Sequence, residues 1–435
     1  MTRFRLFYVA PTLLLLILAA WPLISGSGTL YTRDVLTSHF PLKSSQAEAL
    51  RAGELPLIDP YRAGGQPLLG NPNALPLYPD NLLYLFASTL WALNAHFWLH
   101  LLLAPLAFYW LGRAWGLSRP AAWAGAVCYV SSGFFLSLLN LYNLVAGAAL
   151  APALVAACLD AATRQQKSKP YRGVLALAGA LWGLLILAGD PLFAAVAVLL
   201  AFTALVARGD LPRRWRGFGL PLGLALACGT LIAAPMLIEF FRILPLSYRG
   251  YWQFSIRAAL SQSWDPRSAV EWLLPFFFGR PDFTFWGTRF YGGNPPLFYS
   301  FYPGLLSLAL IALAGRPRSR AAWWAWAATA GGLFLAIGAW NPVVRWLYLL
   351  PGASALRYPV KLWPLVAVGC AMLCAIGFER LLENGPRRLA RIIGALAVFY
   401  LTFWMLLLRL PAGFEALLRR LDPARLDAAL LAREV

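Results

Sequence analysis

The chain has 435 residues, of which 60% are hydrophobic and only 13% charged; it carries a formal charge of +19 and has a mean hydropathy of +0.63. Soluble domains hold about 25% charged and roughly 45–50% apolar residues, so this composition sets a soluble fold aside. Nucleic acid is not the reason for the charge: the cations fall in short segments between apolar runs, and no RNP, zinc-finger or helix-turn-helix pattern occurs.

The first apolar run, Phe7–Leu23, follows Arg3 and Arg5, lacks a clear small-x-small cleavage site and is long enough to span. It reads as an uncleaved signal anchor. Apolar stretches long enough to suggest membrane helices then recur. Including the first, the expected spans are about 7–26, 94–112, 121–139, 143–162, 173–189, 191–207, 218–238, 302–315, 321–339, 362–379 and 390–408. The fold class expected is therefore an all-α polytopic membrane protein with about 11 transmembrane helices. Residues 82–93 read as an interfacial helix, and 411–435 as an amphipathic tail on the outer surface.

Charge sets the expected orientation. With the N-terminus in the cytoplasm, the short inner segments hold 19 cations and four acids (Asp160, Asp210, Glu379 and Glu383). The other side holds 18 cations and 14 acids over much longer segments. Net charge is +15 inside and +4 outside, as the positive-inside rule requires. The outer face of a plasma (inner) membrane then carries two large loops, about 27–93 and 239–301, and a third segment, 340–361. That face has enough chain to build a site.

Asp34 follows the first span by about eight residues. A carboxylate on so short a tether suits a general base, and the competing reading is a loop acid paired with Arg33. His39 follows it, and then a run of Gly, Pro and Asn turns rich in Leu and Tyr. Before the tenth span, Arg357-Tyr358-Pro359-Val360-Lys361 places two cations at an outward-facing helix N-terminus. Cations there make a phosphate site, or else snorkel to the interface. Glu239 ends the seventh span with Arg242 and Arg249 nearby, and Asp190 lies in an outer Gly-Asp-Pro turn where it can cap a helix. His96 and His100 share a helix face at i, i+4, which suits a metal, but no third ligand is evident nearby, so packing is the favoured reading and no metal is assigned. The five cysteines all fall inside apolar runs and read as small buried hydrophobes.

The ordered set RDVLTSHFPLKSSQAEALRAGELPLIDPYRAGGQPLLGNPNALPLYPDNLLY, PMLIEFFRILPLSYRG, WLLPFFFGRP and RYPVK resembles the YfhO-like bacterial membrane proteins, relatives of the GT-C glycosyltransferases. The likeness runs from about residue 30 to 380. It implies a GT-C-like architecture that transfers a sugar from a polyprenyl-phosphate-linked donor to a glycan or lipid acceptor of the cell envelope. The family's loop aspartate corresponds to Asp34 and its late cations to Arg357 and Lys361. Glu239, Arg249, His39 and Asp190 complete the expected substrate-binding set, and no cofactor is implied. The rival class is a transporter or flippase of a lipid-linked or anionic solute, with a non-catalytic assembly subunit as a third reading. Polar residues gathered at one face favour surface chemistry over passage.

Overall fold

A computed structural model of the chain describes residues 9–210, 215–251, 254–279, 285, 287–288 and 295–409. Among them the only strands are two of two residues each, Ile58–Asp59 and Gln66–Pro67, paired antiparallel with Ile58 opposite Pro67. Everything else regular is helical. Every expected span coincides with a helix or a broken helix pair: α1 (Ala10–Ala19) with α2 (Trp21–Ser25), α3 (Phe40–Arg51) being a loop helix, then α4 (Thr89–Ala114), α5 (Arg119–Val130), α6 (Gly133–Ser137), α7 (Tyr142–Gln166), α8 (Arg172–Leu187), α9 (Pro191–Arg208), α10 (Leu220–Ile232), α11 (Ala234–Ile243), α12 (Leu305–Ala314), α13 (Arg320–Ala336), α14 (Trp363–Asn384) and α15 (Arg387–Arg409).

Length decides which of these can cross a bilayer, because a straight span needs about 20 residues. Among the described residues five helices are long and apolar enough: Thr89–Ala114, Tyr142–Gln166, Pro191–Arg208, Pro359–Asn384 and Arg387–Leu406. Two further pairs qualify only when joined across bends of 43° and 66°, which brings the number to seven. Ala10–Ala19, Arg172–Leu187 and Leu305–Ala314 are shorter apolar helices. The outer surface of the bundle is apolar as well. Leu15, Leu231, Trp323 and Leu408 are each more than 60% exposed, the inverse of a water-facing surface. These helices are built for a membrane.

Packing follows the rules of a lipid phase, where small residues let backbones approach. A Cβ on Gly179 would lie 2.2 Å from the Ala225 carbonyl oxygen, so α8 and α10 touch backbone to backbone. The core is most complete around α7, whose side chains from Tyr142 to Leu159 are buried almost without interruption between α4, α8 and α9.

The two ends of the bundle differ. At one end short cationic connections meet. Arg208 donates to the Thr163 hydroxyl at 2.7 Å and pairs with Asp210 at 3.0 Å. Arg320 donates to the Arg208 carbonyl at 2.7 Å, and Glu379 accepts the Ser118 amide at 3.2 Å. At the other end the three long segments fold onto one another. The expected interfacial helix over 82–93 is not a single element. A 3-10 turn over Pro79–Leu85 ends at Phe86, and α4 starts at Thr89, capped by the Ser88 hydroxyl, which accepts the Trp91 amide. Ser88 takes extended backbone, and that breaks the helix. The expected tail 411–435 lies outside the described residues.

Candidate functional site

The first long loop does not float over the helix ends; it is pulled down among them. Asn94 of α4 receives Thr29 at 2.9 Å, and the Trp91 indole donates to the Ile24 carbonyl at 2.8 Å. Gly189 takes φ +87°, and the Pro72 carbonyl oxygen would lie 2.0 Å from any Cβ there, so only glycine admits the turn at 72–75 against the head of α9. Gly70 likewise presses on the Glu239 carbonyl carbon, 2.8 Å from where its Cβ would be.

Asp34 immediately precedes a single π-turn, Val35–His39, and is exposed, its carboxylate without hydrogen bond or ion pair among the described residues. Arg33 does not neutralise it. The Arg33 guanidinium turns to the carbonyls of Pro296 and Leu297 and lies 5.5 Å from the Tyr299 ring. Arg33 achieves this with φ +56°, a costly conformation for a side-chain-bearing residue. The same loop layer continues. Gln262 accepts the Leu297 amide at 2.9 Å, and its own carbonyl accepts the Val360 amide at 3.1 Å. Arg33, the neighbour of Asp34, and Val360, inside the Arg357–Lys361 segment, therefore belong to one hydrogen-bonded layer.

Arg357 lies half-buried between two rings, 4.1 Å from the centre of Phe254 and 4.6 Å from that of Tyr358. Its Nε is buried without a partner, and no ion pair neutralises it among the described residues. Tyr358 takes φ +72°, the second strained residue beside a candidate. Lys361 differs. It is ion-paired with Asp190, and both side chains are largely buried. The Asp190 carboxylate also caps α9, accepting the amides of Leu192 at 3.1 Å and Phe193 at 3.0 Å. Asp190 is thus the helix cap that its Gly-Asp-Pro turn suggests, and it also holds the Lys361 cation at the loop end.

Glu239 pairs with Arg242 at 2.7 Å, one turn along α11, on an exposed face. Arg249 lies in the short helix Tyr248–Tyr251, and its side chain lies outside the described residues. His39 is buried, stacked 5.3 Å from Tyr142, with Nδ1 3.2 Å from the Asn73 carbonyl. Burial, reinforced by the Lys43 charge, brings His39 down to about 3, so the ring is neutral. It faces the interior and packs the loop.

Sequence reading missed the polar cluster beneath. Lys43 is fully buried, and its ammonium has three acceptors: Gln46 at 3.1 Å, the Ala74 carbonyl at 2.7 Å and Asn81 at 2.7 Å. Burial, opposed by the Asp80 carboxylate, brings Lys43 down to about 7. The expectation that His96 and His100 lack a third ligating group is corrected. Asp80 lies 2.5 Å from His96 Nδ1, and Tyr78 lies 2.7 Å from His100 Nε2. Burial pushes the Asp80 carboxyl up, but His96, His100 and Lys43 outweigh it and hold it below its ordinary value. His100 is about 16 Å along α4 from Thr89, so the loop reaches well into the bundle. Asp80 and the histidines come from different elements, and no spacing rule links them.

Glu271 was missed as well. It is 3% exposed on a 3-10 turn, Pro266–Trp272, and burial raises it to about 8 although the Phe301 amide favours the anion. No family model, curated protein or solved structure matches the chain.

Proposed function

We propose that the protein is a GT-C-like membrane glycosyltransferase that moves a sugar from a polyprenyl-phosphate-linked donor to a glycan or lipid acceptor of the cell envelope. The observation that carries this reading is the contrast between two free charges and their paired neighbours. Among the described residues Asp34 and Arg357 have no ion-pair partner, whereas Lys361, Asp190 and Glu239 are each neutralised. A half-buried guanidinium left with an orphan N–H is an incomplete anion site.

In this scheme the isoprenoid tail lies among the apolar helices and the phosphate meets Arg357 near the start of α14. Asp34 takes the proton of the acceptor hydroxyl as the oxygen bonds to the anomeric carbon. The bond from that carbon to the phosphate oxygen breaks with inversion, and the phosphate leaves as an anion held by Arg357. Lys361, already paired, fixes the entry to α14 and leaves anion binding to Arg357. About eleven spans, a cytoplasmic N-terminus and a site on the outer face of the plasma membrane belong to the same proposal, supported by the segregation of basic connections to one end of the bundle.

The test is transfer by the purified full chain from polyprenyl-phosphate sugars to envelope acceptors. Release of polyprenyl phosphate that depends on acceptor supports the reading; donor consumed at the blank rate with every acceptor overturns it. One observation favours the rival transporter reading: ionisable Asp80, His96 and His100 lie inside the bundle, where such residues often mark a pathway. Movement of a labelled polyprenyl-phosphate lipid across liposomes without acceptor would select that reading.

A further inference from the structure

We propose that Asp80, His96 and His100 form a binding site for one divalent transition-metal ion, zinc by the chemistry of its donors, at the point where the first long loop enters the helix bundle. The three side chains each offer one ligand atom within 4.8 Å of the other two. All three are at least nine-tenths buried, with Asp80 and His96 side chains 8% and 0% exposed and His100 3% exposed.

The hydrogen bonds fix the tautomers. His96 Nε2 faces the Tyr142 carbonyl at 2.8 Å, and a carbonyl only accepts, so this nitrogen carries hydrogen. His100 Nδ1 faces the His96 carbonyl at 2.6 Å and carries hydrogen for the same reason. Each ring therefore gives one N–H to the main chain and keeps its other nitrogen for the cluster. Metal-bound histidines are oriented in this way. Here the device is present on both rings at once.

A second observation points to a cation. Asp80 Oδ1 is buried with no hydrogen-bond partner. The nearest ammonium does not use it: Lys43 turns instead onto Gln46, Ala74 and Asn81. A buried carboxylate with an orphan oxygen, beside two imidazole nitrogens, has unused donor capacity for one metal ion. A metal ion would take the place of the proton between Asp80 Oδ2 and His96 Nδ1.

The geometric change required is on the order of an ångström, since the ligand atoms lie within 4.8 Å of one another. Zinc–nitrogen and zinc–oxygen bonds of about 2.0–2.2 Å set tetrahedral ligand atoms about 3.3 Å apart. Asp80 Oδ2 and His96 Nδ1 start at 2.5 Å, so each moves by a fraction of an ångström. The Tyr78 hydroxyl, 2.7 Å from His100 Nε2, stands by for the fourth position or as a partner to a bound water. Two imidazoles with one carboxylate suit zinc and its neighbours, whereas calcium and magnesium take oxygen donors throughout. The ion would pin the loop carrying Asp80 to α4.

The test uses the full chain in detergent, carrying a purification tag without histidine. After chelator treatment and dialysis, zinc is titrated in and metal content measured. One equivalent per chain, with a higher melting temperature in zinc than in chelator, is expected. Asp80→Asn and His100→Ala should each weaken binding about tenfold or more. Because those variants can fail to fold, cobalt replaces zinc in the unaltered protein. Visible absorption of four-coordinate cobalt without a thiolate charge-transfer band is the expected signature. Less than a tenth of an equivalent bound, a thiolate band, or wild-type affinity in folded Asp80→Asn overturns the proposal.

Discussion

The Lys361 ammonium donates to the Asp190 carboxylate, joining the head of α14 to the head of α9 across 171 positions of sequence. Asp190 is 4% exposed there, and its second oxygen caps α9. Removing one member of a buried pair leaves an uncompensated charge and costs on the order of 3–5 kcal/mol. Lys361→Met alone should therefore lower the melting temperature clearly. The double variant Lys361→Met with Asp190→Asn should lose less than the two singles together. Strict additivity in that cycle would show that the pair contributes nothing.

Arg357→Ala should weaken donor binding by about 10–100-fold, the equivalent of one charged hydrogen bond of roughly 1.5–3 kcal/mol, and leave acceptor binding nearly unchanged. Arg357→Lys keeps the charge but loses the planar contact with Phe254 and Tyr358, so it should fall between. Unchanged donor affinity in Arg357→Ala, read by titration with polyprenyl-phosphate sugar, removes this residue from the site.

Asp34→Asn should cut turnover by roughly 10²–10⁴-fold with little change in stability, because Asp34 is exposed and no contact is lost. Asp34→Glu displaces the carboxylate by about an ångström and should cost on the order of 10²-fold. Wild-type turnover in Asp34→Asn would end the assignment of this base.

Parts of this arrangement were legible in the sequence and parts were not. Apolar length and the Ser and Asp caps locate helices, so Thr89–Ala114 and Pro191–Arg208 lie close to where hydropathy puts them. The ends move where capping outweighs hydropathy, as at Ser88. Asp190 was legible as a cap because its turn precedes a proline, but its lysine was not, since nothing local ties position 190 to 361. Asp80 escaped for a different reason. It sits in a stretch of Pro, Tyr and Leu that reads as an interfacial turn, and only the descent of the loop brings it to His96. Glu271 likewise reads as an ordinary loop acid until the fold buries it.

Glu271 gives a pH test. Its carboxyl is raised from 4.5 to about 8, so between those values the folded protein holds a proton that the unfolded chain releases. Its contribution to stability is complete below about 4.5 and declines as pH rises toward 8. Glu271→Gln keeps the neutral shape and should remove that decline. Lys43 acts with the opposite sign: it is lowered from 10.5 to about 7, so stability gains as pH rises through that interval. Melting temperatures of wild type and Glu271→Gln at pH 5 and 8 separate the two. Parallel falls in both proteins would clear Glu271.

Orientation is checked by cysteine labelling. Glu54 and Arg257 are exposed at the loop end. In a cysteine-free background, Glu54→Cys and Arg257→Cys should react with an impermeant maleimide added to intact spheroplasts. Reaction only after lysis would turn the molecule over and move the proposed chemistry to the cytoplasmic face.

The hydrogen bond from Arg33 to Leu297 joins residues 264 positions apart. A ribosome that has made the first helix and its loop has not yet made the carbonyls that hold Arg33, nor the lysine that holds Asp190. Through most of synthesis the Asp34 loop must wait beside a half-built bundle. The layer can close only once position 361 has been made, so the loop end takes its shape late, after most of the helices beneath it exist.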